Sequence, residues 1–167
     1  MSSADTIFAL ATPPGKSGVA IIRLSGPQAI TVLQQLTGRE DFTPRQADYA
    51  VFRSPGGEII DRGLALYFQA PASFTGEDVA ELHLHGSLAV IREMLSVLAN
   101  IRGLRPADPG EFSRRAFLNG KMDLIEAEGL ADLIAAETLT QKRQALGQME
   151  GSISGYYEQF RQRIIHC

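Results

Sequence analysis

The stretch FTGEDVAELHLHG, Phe74 to Gly86, decides how the fold is read. From Val79 it alternates in the period-two manner of a half-buried β-strand. On a strand, Val79, Glu81, His83 and His85 share one face while Asp78, Ala80, Leu82 and Leu84 share the other. The second set is largely apolar and belongs to the core. The first gathers a carboxylate and two imidazoles on one side of a sheet. Such a set suits a ligand, a metal such as zinc, or simply a solvated face.

Working outward, Thr6–Ala11 (TIFALA) and Gly18–Leu24 (GVAIIRL) are short apolar runs bounded by Pro and Gly, the signature of buried strands. After Ser25-Gly26-Pro27, the body PQAITVLQQL sets Ile30, Leu33 and Leu36 on one helical face, with Gly38 as the stop. Tyr49–Arg53 and Glu58–Gln69 flank Ser54-Pro55-Gly56-Gly57, a hairpin signal. Leu88, Ile91, Leu95 and Leu98 repeat at helical spacing and stop near Gly103. PGEFSRRAFLNGK reads as a loop and short helix. From Met122 onward the pattern is helical, interrupted by Gly147, Gly151 and Gly155. The expectation is an α+β domain with a mixed sheet over residues 1–120, then the start of an all-α arm over 121–167.

The chain has 167 residues, room for one ordinary core and an appendage. No run approaches the ~20 apolar residues of a membrane span. The start, MSSADTIFALATPPG, lacks a basic region before its apolar run, so a cytoplasmic location is expected. Cys167 is the only cysteine, which leaves no intrachain disulfide. A net charge of −3 argues against a surface built mainly to neutralise phosphates. The closing RQRIIHC carries no cap, so the chain is expected to stop inside a larger protein; an arm pairing with another subunit is the alternative.

TPPGKSG, Thr12–Gly18, contains the tail of a phosphate-binding loop. It lacks the first glycine of G-x-x-x-x-G-K-[ST], where Leu10 stands, and a strand-like run follows where a helix is required. Pro13 and Pro14 also remove N–H donors. A strand-to-strand loop is expected there, without GTP binding by this chain. Arg23 lies in an apolar run on the face of Val19 and Ile21, where a charge is costly unless paired, serving a ligand, or snorkelling from an edge strand. Lys121 follows Asn119-Gly120 in a tight turn, and is either an ordinary surface lysine or part of a site.

Together, DTIFALATPPGKSGVAIIRLSGP, SFTGEDVAELHLHG and RPADPGEFSRRAFLNGKMDLIEAEGLADLI resemble the N-terminal part of the bacterial tRNA uridine-modification GTPases, the MnmE/TrmE family. The similarity runs from about Asp5 through the arm. It implies an N-terminal α+β domain that dimerises and binds a tetrahydrofolate, with a fold like the folate domain of aminomethyltransferases. In the family this precedes a helical domain and an inserted GTPase domain, whose P-loop, switch regions and C-terminal C-[IL]-G-K are absent from this sequence. The implied cofactor is 5-formyltetrahydrofolate or 5,10-methylenetetrahydrofolate, a one-carbon source for modifying the wobble uridine, position 34, of certain tRNAs. The implied partner is the flavin-containing MnmG, and GTP, Mg2+ and K+ belong to the full-length family protein.

Carried over by motif, the folate-binding positions are Arg23 from R-x-S-G, Glu81 from F-T-G-E-D-x-x-E, and Lys121 from F-L-N-x-K. Ser87 departs from the family's usual HGG, and His83 is not a family constant. A pterin edge offers adjacent N–H donors that one carboxylate can accept together, whereas Arg23 and Lys121 can only donate, to a ring carbonyl, a formyl oxygen or the glutamate tail. On this reading Glu77 and Asp78 are structural or solvated, His85 shapes the turn beside the ligand, and replacing His83 is nearly silent. Replacing Arg23 is expected to weaken folate binding and to leave stability intact or slightly raised. A metal-dependent hydrolase built on Glu81, His83 and His85, or a pure assembly module, are the alternatives.

Overall fold

The computed structural model describes residues 5–149. The helical reading beyond Met149, including Gly151, Gly155, His166 and Cys167, lies outside them. The alternating stretch is strand β5 (Val79–Gly86) at the centre of a sheet. It pairs antiparallel on one side with β2 (Ser17–Ser25) and on the other with β4 (Ile59–Phe68). With β1 (Thr6–Leu10), β3 (Ala47–Arg53) and β6 (Leu104–Pro106), the six strands run β3-β4-β5-β2-β1-β6. Only β6 against β1 is parallel, which makes the sheet mixed.

The two faces divide as the sequence pattern requires. Ala80, Leu82 and Leu84 are buried with Ile22 and Leu24 of β2 and Phe52, Ala65 and Tyr67 of β3 and β4. Helices α1 (Ala29–Thr37) and α2 (Leu88–Ala99) supply Val32, Leu33, Leu36, Met94 and Leu98 to the same core. Helix α1 begins two residues after Pro27 and stops at Gly38, whose φ of 67° lets its N–H return to Gln34 O. Strand β6 was not anticipated: three residues ending in proline carry no readable period.

Helix α3 (Glu111–Leu118) follows, and the chain divides into two compact units between Arg115 and Ala116. The second unit holds α4 (Leu124–Ala135) and α5 (Leu139–Met149). The arm is therefore broken at Ala136–Thr138, and Gly147 lies inside α5, contrary to the sequence reading. The breaks follow local capping. Asp123 accepts Glu126 N–H at 2.8 Å while Glu126 accepts Asp123 N–H at 2.6 Å. Thr138 and Gln141 repeat the device, Thr138 Oγ1 taking Gln141 N–H at 3.2 Å and Gln141 Oε1 taking Thr138 N–H at 2.9 Å. A polar cap pair restarted the helix where glycine alone did not stop it. Among the described residues no helix is long and apolar enough to cross a membrane.

Gly26 makes the β2-to-α1 connection possible. Its φ is 133°, and a Cβ there would meet Asp5 O at 2.7 Å and Thr6 Cα at 2.8 Å. Gly38 has a positive φ but open space around it. Gly26→Ala is therefore expected to lower stability by about 2 to 3 kcal/mol and Gly38→Ala by about 1 kcal/mol. Chemical denaturation midpoints check this; equal losses would contradict it.

Candidate functional site

The β2–β5 register sets Arg23 opposite Glu81. Arg23 Nε and Nη2 both donate to Glu81 Oε1, at 2.9 and 2.8 Å, with the side chains 29% and 14% exposed. β2 lies between β5 and β1, so Arg23 does not snorkel from an edge; it is held by a partner across the ladder. Its guanidinium carbon lies 5.4 Å from the Phe74 ring centre and 5.9 Å from that of Phe112. Those rings come from the β4–β5 loop and from α3, and both add cation–π attraction.

Glu81 Oε2 is occupied as well, by His83 Nε2 at 3.1 Å. His85 goes elsewhere. Its main-chain N–H donates to Asp61 Oδ2 at 2.7 Å and its Nδ1 lies 2.9 Å from Asp61 Oδ1. Burial pushes the Asp61 carboxyl up, but the hydrogen bonds from His85, main chain and then ring, outweigh it and hold it below the ordinary range. Glu81, His83 and His85 therefore share a face without converging on one point. Among the described residues, no three His, Cys, Asp or Glu side chains are grouped to hold a metal ion.

The surrounding sheet face is apolar and only partly covered. Tyr49 of β3 pairs with Leu64 of β4, Leu64 with His83, and His83 with Ile21 of β2, giving one row across four strands. Leu66 pairs with Glu81 in the adjoining row, next to Arg23. Tyr49 is 63% exposed, Val19 49% and Leu64 41%. An ion pair within about 6 Å of two aromatic ring centres thus shares its sheet face with exposed apolar side chains.

Glu77 and Asp78 are structural. Asp78 Oδ1 accepts Tyr67 Oη–H and Ala70 N–H, both at 2.9 Å; burial, then this carboxylate, push the Tyr67 hydroxyl up to about 12. Glu77 Oε2 accepts from Ser25 Oγ at 2.8 Å and Arg115 Nη1 at 3.0 Å. Arg115 also holds Asp5 Oδ1 at 2.8 Å, and Arg105 joins Asp5 to Glu111 through a two-pronged contact at 2.8 and 2.6 Å. Sequence reading missed Asp5, Arg105, Glu111 and Arg115. The only available signal was the dense charge in PGEFSRR, since the partners lie far apart in the chain.

Lys121 stands in the second unit, exposed in the turn between α3 and α4, where its main-chain N–H closes α3 on Ala116 O at 2.8 Å. The GKS tripeptide lies in the β1–β2 connection, and Ser17 already begins strand β2.

Among the described residues this first unit is an α+β module with α1 and α2 packed on one face of the sheet and the charged pair, beside Phe112 of α3, on the other. The family model described as "GTP-binding protein TrmE N-terminus" matches residues 6–121, and the chain belongs to that family. It is 57% identical over 164 residues to the tRNA modification GTPase MnmE of Parvibaculum lavamentivorans, and 55% and 52% identical to the proteins of that name from Rhodospirillum rubrum and Paramagnetospirillum magneticum. These alignments cover 98%, 94% and 98% of the chain but 37% of each relative, so the chain spans little more than a third of their length.

Glu111 gives this fold an acid sensitivity. Its carboxyl is drawn from the ordinary 4.5 down to about 2, chiefly by the Arg105 hydrogen bonds, with its side chain 1% exposed. A depressed folded value stabilises fully above the unfolded value and is lost as pH falls through the folded one. The expected outcome is a loss on the order of 3 kcal/mol between about pH 5 and 2. Glu111→Gln should flatten that part of the stability profile, as denaturant titrations at several pH values will register; an unchanged slope would contradict the assignment.

Proposed function

We propose that this chain is the tetrahydrofolate-binding and dimerising part of a tRNA modification GTPase. Arg23 and Glu81 hold the ligand; Lys121, the third position that the resemblance implies, belongs to the second unit. The observation that carries this reading is the Arg23–Glu81 pair between Phe74 and Phe112 on an open apolar face. Aromatic rings and apolar strands suit a flat heterocycle. A half-buried carboxylate suits its N–H edge, and guanidinium and ammonium groups suit its carbonyl or carboxylate oxygens. The ligand class is a 5-formyl- or 5,10-methylenetetrahydrofolate, serving as one-carbon donor for the wobble uridine. MnmG and tRNA are partners of the whole protein in the cytoplasm, and GTP, Mg2+ and K+ act in the remainder of it.

Dimerisation is supported by the same face, since Tyr49, Val19 and Leu64 leave apolar area that a second copy can cover. Sedimentation at tens of micromolar is expected to show a dimer; a monomer would leave the dimer reading without support.

Calorimetry with 5-formyltetrahydrofolate tests the ligand. Glu81→Gln should weaken binding roughly thirtyfold to a thousandfold while keeping the fold. Arg23→Ala should weaken it too. Its effect on stability differs from the sequence expectation, because removing Arg23 strands the 14%-exposed Glu81 carboxylate and should lower the melting temperature. A wild-type chain that does not bind, or Glu81→Gln binding as tightly as wild type, would refute the folate reading.

A further inference from the structure

Glu81 is the group on which the proposed site turns, and both of its oxygens are engaged before any ligand arrives. Oε1 takes two N–H donors from Arg23, and Oε2 takes the His83 ring nitrogen at 3.1 Å. Arg23 and Glu81 come from neighbouring strands, whereas His83 stands two residues along β5 on the same face. Its ring is 24% exposed and its neighbours across the ladder are Leu64 and Ile21, so Glu81 is the polar group that fixes where it points.

A carboxylate has two torsions with low barriers and a third, broad one at the carboxyl itself. Arg23, bound to one oxygen, leaves rotation about that oxygen open. His83 closes it by pinning the other. With both oxygens held, the unused lone-pair directions are fixed and the ordering entropy of the carboxylate is removed before binding.

We propose that His83 is a positioning residue of the ligand site: through Glu81 Oε2 it locks the carboxylate in the orientation that receives the N–H edge of the folate. This rests on the folate reading above and replaces the expectation that His83 is silent. The ligand meets a carboxylate whose Oε1 is filled by Arg23 and whose Oε2 has one lone pair left, so one N–H of its donor edge shares Oε2 with His83 and does not displace it.

Four chains decide the matter by calorimetry with 5-formyltetrahydrofolate: His83→Leu, which keeps bulk between Leu64 and Ile21 without a donor; His83→Gln, which keeps an N–H donor; Glu81→Gln; and the double variant Glu81→Gln/His83→Leu. His83→Leu should lose roughly five- to twentyfold in affinity, and His83→Gln should recover to within about twofold of wild type. The double variant should bind no more weakly than Glu81→Gln alone, because His83 acts only through that carboxylate. Melting temperatures of the single His83 variants should stay near that of wild type, which separates positioning from folding. If His83→Leu binds like wild type or tighter, or if the two losses add in full, the positioning role is overturned while the folate site stands. If wild type itself shows no saturable binding, the folate reading falls and this inference with it.

Discussion

The antiparallel register between β2 and β5 is the constraint on which the rest depends. It sets Arg23 opposite Glu81 and, on the reverse face, Ile22 opposite Leu82 and Ala20 opposite Leu84. Side-chain direction has period two, so a slip of one residue would exchange the faces. The guanidinium and carboxylate would then enter the helix-covered core and the aliphatic side chains would enter water. A charge in the middle of an apolar strand is usually a liability. Here the pair penalises the wrong register more severely than apolar contacts alone would, and so specifies the fold as well as the site.

A second ionic system holds the walls around that pair. Ser25, at the end of β2, is bonded to both Thr75 and Glu77 in the β4–β5 loop. Glu77 is tied by Arg115 to α3 and to Asp5 beside β1, and Arg105 joins Asp5 to Glu111. Phe74 precedes Thr75, and Phe112 lies between Glu111 and Arg115. Both rings that flank Arg23 are thus carried on backbone fastened by buried charge-assisted hydrogen bonds. Such a network adds little net stability against apolar replacements, but removing a partner of Glu77, Glu111 or Arg115 leaves a buried charge exposed to desolvation without its counterpart. Its contribution is positional: it fixes two aromatic planes at a set distance from a guanidinium.

How much of this was readable follows from the length scale of each signal. Strand β5 and helices α1 and α2 were legible because their apolar periods lie within a dozen residues. Glu81 and Arg23 were legible as oddities, a carboxylate and a guanidinium among aliphatic neighbours, but their mutual contact depends on a register set across 58 positions. The Arg115–Asp5 contact spans 110 positions and leaves no local trace. Strand β6 is too short for a period, and the break between α4 and α5 was misplaced because three glycines drew attention away from Thr138-x-x-Gln141. That polar pair was a readable capping signal. His85 could be placed on its face from the pattern, whereas its attachment to Asp61 could not.

The open face and the closed pair are physically coupled. In the isolated chain, water reaches the rim of the Arg23–Glu81–His83 cluster and screens it, so the pair contributes modestly. Anything that covers Tyr49, Leu64 and Val19 removes that water and strengthens the Coulomb attraction, but it also strips hydration from Glu81. A purely aliphatic cover would leave the remaining lone pairs of the carboxylate unsatisfied, at about 1 to 3 kcal/mol or more for a charged group. A flat cover carrying N–H donors along one edge replaces the lost water bonds while its faces meet Phe74, Phe112 and the apolar strands. On the proposed reading, a fitting partner is apolar on its broad side, donating on its rim, and accepting where Arg23 still has an N–H to offer.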